Sequence, residues 1–551
     1  MKRKLDLALA LLFVFGQVIA QKNDKWIILK DSVETSGGIK LAADVYLPDR
    51  EQAYPTILVR TPYQKENVKG VALNFVKQGY AVVVQDCRGK FGSGGEFYAF
   101  KHEREDGLKT VGWIKKQPWH NGKLAGYGGS YLGYTQWAVS DQLDAVCAEM
   151  TGADVYDLIY PQGLFSLSTA FNWGLLVNAR TSNPISPEKL MGSYWHLPLS
   201  VADDSTFKDN RFINDWLLHE TRDNYWQSVN HRGIAKGPVL SIAGWYDIFL
   251  LTQINDFVAL DKKNSHPDNR MVINPWCHGS QSFKNEYGGQ EKTGNTGNLQ
   301  ERFLAKILLG KDGEILEAPF TRQKYNFFIM ERNEYVGSDS WPPKGVKKVD
   351  FYLDKNKISK KATDQSKQVG FAYNPQDPYP SLGGTFIGMG VGPAVQNTNR
   401  TRKDQCVFES DVLTAPLTLL GTVTASLYVT STAGETDFMI LVQDVFPNDT
   451  IINIQEGGRQ VSVGPGKVTK ITLESWPTGY QLNPGHKLRI VITSGWFPRY
   501  NRSLNTEEPV YGAKESREAV QAIYLGRKHP SKVTLPLLNP GTQVDNGDLK
   551  R

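Results

Sequence analysis

The segment Leu124-Ala125-Gly126-Tyr127-Gly128-Gly129-Ser130-Tyr131-Leu132-Gly133 constrains this chain more than any other stretch. A short apolar run enters a cluster of glycines around one serine, and a helix-compatible stretch over residues 134–140 leaves it. That order describes a buried strand turning sharply into a helix with the serine hydroxyl exposed at the bend. Glycine has a physical reason to stand at 128, 129 and 133. The serine backbone is strained in such a turn, and neighbouring Cβ atoms would collide with the adjoining strand and helix. The pattern reads G-x-S-x-x-G, with Leu132 where the commonest form of this bend has glycine.

The surroundings suit that bend. Residues 26–29 and 39–47 read as alternating strands, and residues 55–60, 80–85, 124–127 and 145–150 as apolar ones. Helical stretches at 70–78 and 103–116 separate them, and such alternation implies a mainly parallel sheet covered on both faces. In α/β-hydrolases a nucleophilic serine is followed along the chain by an acid and then a histidine, each at the carboxyl end of a strand. Residues 238–244 read as a buried strand that leads to Asp247, and residues 270–275 as the next, which leads to His278. Of the nine histidines, His102, His120, His196, His219, His231 and His266 lie in polar or helical contexts, and His486 and His529 in a β-rich last third. Only His278 directly follows an apolar strand in the required order. Asp247 also suits the cap of a following helix.

Five motifs follow one another in order: Arg60-Thr61-Pro62-Tyr63, Asp86-Cys87-Arg88-Gly89-Lys90-Phe91-Gly92-Ser93-Gly94-Gly95-Glu96-Phe97, Gly128-Gly129-Ser130-Tyr131-Leu132-Gly133, Gly244-Trp245-Tyr246-Asp247 and Pro275-Trp276-Cys277-His278. Together they resemble the cocaine esterase family, which also includes α-amino-acid ester hydrolases and Xaa-Pro dipeptidyl-peptidases. The likeness runs from about residue 27 to about residue 535. It implies Ser130 as nucleophile, His278 as general base and then acid, and Asp247 as the residue that orients the histidine. It also implies an oxyanion hole built from the Tyr63 hydroxyl and the backbone N–H of Tyr131. A phenol and an amide converging on a developing oxyanion make chemical sense, since each such donor contributes roughly 3–4 kcal/mol of transition-state stabilisation.

Residues 154–236 interrupt the strand–helix rhythm with long aromatic segments carrying Trp173, Trp195, Trp216 and Trp226. They are expected to form a helical cap that closes over the site, excludes water and shapes an apolar pocket. After about residue 325 the pattern becomes β-like, with runs at 346–353, 415–429, 438–445, 460–472, 486–494 and 532–538 separated by Gly, Pro, Asn and Asp clusters. This reads as an antiparallel sandwich, which the resemblance implies is a jelly roll, with Trp496-Phe497-Pro498-Arg499 as its late segment. Family members often continue that segment with an acidic residue, where this chain has Tyr500-Asn501. The expected organisation is therefore a leader at 1–20, an α/β-hydrolase domain at 21–153 and 237–325, a cap at 154–236 and an all-β domain at 326–551.

Met1-Lys2-Arg3-Lys4, the apolar run 7–15 and Val18-Ile19-Ala20 have the form of a secretory leader with its cleavage site. The run is too short to span a membrane, which takes about 20 apolar residues. An exported protein, periplasmic or extracellular, is expected. Removing the leader lowers the formal net charge from +6 to about +4, and no basic run points to nucleic acid. Export permits disulfides, but Cys87, Cys147, Cys277 and Cys406 allow three complete pairings with nothing to choose among them. Neither a C-x-x-C pair nor an H-E-x-x-H motif is present, so no metal or other cofactor is expected.

In the resembling amino-acid ester hydrolases, carboxylates hold the substrate's free amine, some of them soon after the triad aspartate. Here Asp247 is followed by Ile248, Phe249, Leu250 and Leu251, and an ammonium buried there without a partner would be costly. A hydrolase of small or medium acyl esters is the favoured expectation, with a small-molecule ester or short peptide as partner. Trp245 beside the acid, with Asp154 and Asp157 at the cap entrance, is assigned to substrate binding. The two aspartates keep open a dipeptidyl-peptidase or an amino-acid ester or β-lactam acyl hydrolase. A non-catalytic glycan- or peptide-binding protein is the second alternative, because a fold alone does not prove activity.

Overall fold

The computed structural model describes residues 26–182, 184–204, 209–279, 299–311, 323–388 and 390–539; the expected leader lies outside the described residues. Ten strands form the first sheet: β1 (Ile27–Glu34), β2 (Lys40–Leu47), β3 (Tyr54–Thr61), β4 (Ala81–Asp86), β5 (His120–Gly129), β6 (Ala145–Glu149), β7 (Val239–Tyr246), β8 (Arg270–Cys277), β9 (Tyr325–Ile329) and β10 (Glu334–Ser338). Their order is β1-β2-β4-β3-β5-β6-β7-β8-β9-β10. All neighbours from β4 to β9 are parallel, while β1, β2 and β10 join antiparallel at the two edges.

The apolar runs explain the parallel core. Strands β4 and β7 are buried along their whole lengths, as strands covered on both faces must be. Successive side chains alternate between two cores. Ala81, Val83, Val146 and Ala148 face one, packed with α2 (Glu103–Ile114) and α9 (Leu250–Lys263), and Val82, Val84, Ala145 and Cys147 face the other, packed with α1 (Lys69–Lys77) and α10 (Leu299–Leu309). The bend after β5 leads into α3 (Tyr131–Trp137).

Between β6 and β7 lie α4 (Tyr156–Ile159), α5 (Leu167–Val177), α6 (Pro187–Trp195), α7 (Arg211–Leu218) and α8 (Asn224–Ser228), which form the cap. Three of these helices start where a polar side chain accepts their free N–H groups: Ser186, Asn210 and Asp223. Trp216 and Trp226 are buried as the cap's own core. Among the described residues no helix is long and apolar enough to cross a membrane.

Among the described residues the second sheet has thirteen strands, the first of which begins at Val346. Strand β9 pairs in parallel with β8, and β10 folds back on β9, so both complete the hydrolase sheet. A terminal hairpin has the same short, turn-bounded signature as sandwich strands, which is why the pattern changes near 325, ahead of the second sheet itself. The run 415–429 divides into strands Leu417–Gly421 and Thr424–Ser431, and 460–472 divides at the Gly464-Pro465-Gly466 turn. All four cysteines are buried, and none is in a disulfide.

The all-β domain braces the other two layers. Gln455 Nε2 donates to the Trp245 carbonyl (2.9 Å) and the Tyr246 hydroxyl donates to the Asn453 carbonyl (3.2 Å), so the carboxyl end of β7 is held from outside the sheet. The late segment around Arg499 pins the cap. The Ser168 N–H donates to the Pro498 carbonyl (3.0 Å), the Asn501 N–H donates to the Phe165 carbonyl (3.0 Å), and Arg499 Nη1 donates to Ser166 Oγ (3.0 Å). Tyr500, where the resemblance leads one to look for an acid, is buried with its ring 4.4 Å from the Arg499 guanidinium. The anion facing Arg499 comes from elsewhere in the chain: burial pushes the Glu456 carboxyl up, and the charge of Arg499 opposes that shift. Arg499→Met keeps the side chain's bulk and removes its hydrogen bonds to Ser166 Oγ and Thr385 Oγ1, a loss of about 1–3 kcal/mol. A lower melting temperature by calorimetry is expected; an unchanged one removes Arg499 from this bracing role.

Candidate active site

Ser130 stands between β5 and α3 with φ 54° and ψ −129°, a region that L-residues rarely adopt. The bend is held from β6 and the loop after it. The Ser130 N–H donates to the Glu149 carbonyl (3.0 Å) and the Met150 carbonyl (3.2 Å), and Thr151 Oγ1 donates to the Ser130 carbonyl (2.7 Å). Two glycines are there for stated reasons. Gly128 has φ +128°, and a Cβ on Gly133 would lie 2.4 Å from Thr151 Cγ2.

Strand β7 delivers Asp247 and β8 delivers His278 to the same edge. His278 Nε2 lies 3.1 Å from Ser130 Oγ, and His278 Nδ1 lies 2.7 Å from Asp247 Oδ2. Asp247 is fully buried, and its Oδ1 accepts the Phe249 N–H at 2.8 Å. An ionised carboxylate only accepts, so Nδ1 carries the ring proton and Nε2 is left to take a proton from the serine. The Asp247 side chain therefore caps the turn into α9 and orients the histidine at once.

Tyr63, just beyond β3, faces the Ser130 hydroxyl with its phenol, which also accepts the Trp173 indole N–H at 2.7 Å. Burial pushes the phenol up to about 12, against the two hydrogen bonds, so it stays a protonated donor at neutral pH. The N–H of Tyr131 is the first amide of α3, one of the helix-end donors with no intrahelical acceptor. The Tyr131 side chain points away: its hydroxyl donates to Glu103 Oε1 (2.8 Å) and accepts the Phe100 N–H (2.9 Å). Glu103 in turn pairs with buried Arg60 at 2.7 Å.

A narrow cavity of about 20 Å³ opens at Ser130. Tyr63, Phe100, Leu158, Trp173, Phe249 and Ile387 are among its walls, and among the described residues no Asp, Glu, Lys or Arg lines it. The walls come from the hydrolase sheet, from α4 and α5 of the cap, and from the all-β domain.

Family models match the two halves of the chain: the X-Pro dipeptidyl-peptidase (S15 family) model over residues 37–280 and the X-Pro dipeptidyl-peptidase C-terminal non-catalytic domain over 320–534. The cocaine esterase of Rhodococcus sp. (strain MB1 Bresler) is 31% identical, over 91% of this chain and 96% of that protein. The chain belongs to the cocaine esterase and X-Pro dipeptidyl-peptidase family of serine hydrolases. Solved structures agree on the fold. An aminopeptidase from a marine sediment archaeon, Thaumarchaeota archaeon, superimposes with a TM-score of 0.80 at 20% identity, covering 93% of this chain and 97% of the other. An α-amino-acid ester hydrolase does so with a TM-score of 0.79 at 18% identity, covering 96% and 100%.

Within this family fold, three expectations about substrate binding need correcting. Trp245 is fully buried away from the cavity, because β7 runs on through Tyr246 and the indole N–H donates to the Phe328 carbonyl (2.6 Å). Asp154 and Asp157 do not face the cavity either. Asp154 pairs with Arg222 and Arg232, and Asp157 pairs with the same two arginines. Arg232 also holds Asp256 of α9 at 2.6 Å. These carboxylates neutralise guanidinium groups behind α4 and are not available to an ammonium.

The uncharged stretch after Asp247 does reach the site: Ile248 and Phe249 line the cavity, and the Phe249 ring lies 5.5 Å from that of His278. Glu103 and Ile387 escaped sequence reasoning. Ile387 comes from an irregular segment with no periodic signal, and Glu103 opens a helix as any acidic first-turn residue does. Glu103→Gln leaves the buried Arg60 guanidinium without its counter-charge, and a loss of about 3–5 kcal/mol is expected. Thermal melting checks it: a melting temperature within error of the parent means that the pair does not support the helix after Ser130.

Proposed function

We propose that this chain is an exported carboxylic-ester hydrolase that acts through an acyl-enzyme on Ser130. The observation that carries the reading is the cavity at Ser130, which among the described residues has an apolar wall without charged side chains, while Asp154 and Asp157 are spent on Arg222 and Arg232. An acyl group without charge fits such a wall, and an ammonium placed there would have no partner. Export rests on the leader-like residues 1–20.

In this mechanism Ser130 Oγ attacks the ester carbonyl as its proton passes to His278 Nε2, and Asp247 steadies the imidazolium. The Tyr63 hydroxyl and the Tyr131 N–H receive the oxyanion of the tetrahedral intermediate. The intermediate collapses, the C–O bond to the alcohol breaks, and the alcohol leaves with the proton from His278. Water then enters, gives its proton to His278 and attacks the acyl-enzyme, which releases the acid and restores Ser130. The cap keeps other water from the site during the cycle.

The deciding experiment compares kcat/KM for a free-amine amino-acid ester with that for its N-acetylated counterpart, using the mature protein and Ser130→Ala as background. The blocked ester is expected to be the better substrate or an equal one, with the background inactive and folded. A strong preference for the free amine overturns the ester reading in favour of the peptidase or amino-ester one. A retained rate in Ser130→Ala removes Ser130 from the mechanism. Tyr63→Phe is expected to lower kcat by roughly 10²–10³; an unchanged kcat means that another group completes the hole.

A further inference from the structure

The residue that reaches the proposed oxyanion donor from the cap is Trp173. Its indole N–H can only donate, while a phenol has one proton to give and lone pairs to offer. With Trp173 donating to the Tyr63 oxygen at 2.7 Å, the phenol proton is turned away from the cap, and the other group facing that phenol is Ser130. We infer that Trp173 is a positioning residue for the oxyanion hole, which holds the Tyr63 hydroxyl with its proton aimed at the reacting carbonyl. The inference rests on the reading of Tyr63 as an oxyanion donor.

Packing fixes the direction of that N–H. The Trp173 ring stacks on Phe100 (5.4 Å between centroids, 22°), on Tyr131 (5.7 Å, 25°) and on Trp216 (6.3 Å, 12°). Phe100 and Tyr131 belong to the hydrolase layer and Trp216 to the cap, so one aromatic stack joins the layers at the hole. Tyr131 is also the residue whose amide supplies the second donor, so both donors are registered against the same indole.

Helix α5, which carries Trp173, is itself tied to the hydrolase layer. Lys90 Nζ donates to the carbonyls of Val177 (2.9 Å) and Ala179 (2.5 Å) at its carboxyl end, where a cation is favoured by the helix dipole. A donor on the phenol oxygen also draws electron density from it and strengthens the phenol as a donor. Consistently, the Trp173 bond pulls the acidity of Tyr63 in the direction opposite to burial. The hole is complete only while the cap is docked.

The test is a double-mutant cycle on kcat. Replacing Trp173 with 3-benzothienylalanine keeps the bicyclic shape and removes only the N–H; Trp173→Phe is the second variant, with folding checked by thermal melting. With an N-acetylated ester, either replacement is expected to lower kcat roughly tenfold, the size of one lost hydrogen bond. KM is expected to change by less than about twofold for the benzothienyl variant, whose shape is unchanged. In a Tyr63→Phe background the same replacements should lower kcat by less than about twofold, because the hydroxyl they act through is gone. Losses that multiply in the double variant overturn the inference and leave the ester mechanism standing. A Tyr63→Phe variant with parental kcat overturns the oxyanion role of Tyr63 and the inference with it.

Discussion

The strained backbone at Ser130 is the constraint to which the surrounding structure answers. A residue held at φ 54° and ψ −129° costs of order 1–3 kcal/mol and persists only where its neighbours over-determine it. Here the neighbours do so from three directions. Strand β6 and its loop take the Ser130 N–H and donate to its carbonyl, Gly133 lets Thr151 approach α3, and the Arg60–Glu103 pair fixes the Tyr131 side chain. Leu132, which departs from the commonest form of the bend, tolerates its place because Gly128 leaves room: a Cβ there would stand 2.7 Å from that of Leu132. The smallness demanded near the serine has moved to the strand side of the turn.

Each of the three groups at the site sits at the end of a strand, and strand ends are held less firmly than strand middles. The structure answers with braces from outside the sheet. Gln455 and the Asn453 carbonyl hold the end of β7, beside Asp247. Arg222 clasps Asp154 and Asp157, Arg232 ties the same two to Asp256 of α9, and the buried Asp256 carboxyl is pushed up to about 7 by desolvation against the attraction of Arg232. A buried ion network is a poor source of net stability, but losing one member strands the rest. Such a network therefore suits a latch, in which geometry matters more than energy. It places α4 so that Leu158 and Ile159 face the cavity while the charges stay behind them.

The parallel sheet and the hydrogen-bonded Ser130, His278 and Asp247 were legible because they are written in local signals. Apolar runs four to eight residues long, glycines at a bend and polar residues just past strand ends each report on their own neighbourhood. What stayed hidden depends on contacts between distant segments. Nothing near Asp154 or Asp157 in the sequence says that Arg222 and Arg232 will claim them, some 65 to 78 residues later. Trp245 looked like a site residue because it adjoins Asp247, and a strand only two residues longer than its apolar run turns it into the core. Which sheet the strands after residue 325 join was hidden for a related reason. The strands Tyr325–Ile329 and Glu334–Ser338 carry no mark of which sheet they join, since pairing partners are a matter of topology and not of composition.

This division between local and distant signals bears on how such a protein acquires its selectivity. The hydrogen-bonded Ser130, His278 and Asp247 sit at braced strand ends, and their order along the chain is fixed by the sheet. The cavity wall is assembled from segments as far apart as Tyr63, Trp173, Phe249 and Ile387, each on a different layer or loop. Changing the substrate therefore does not require moving Ser130, His278 or Asp247. It requires only that a carboxylate near α4 turn from an arginine towards the cavity, or that an apolar wall residue become charged. The latch arginines bear on that choice here: while Arg222 and Arg232 hold Asp154 and Asp157, the described walls of the cavity present apolar side chains and no carboxylate to a substrate.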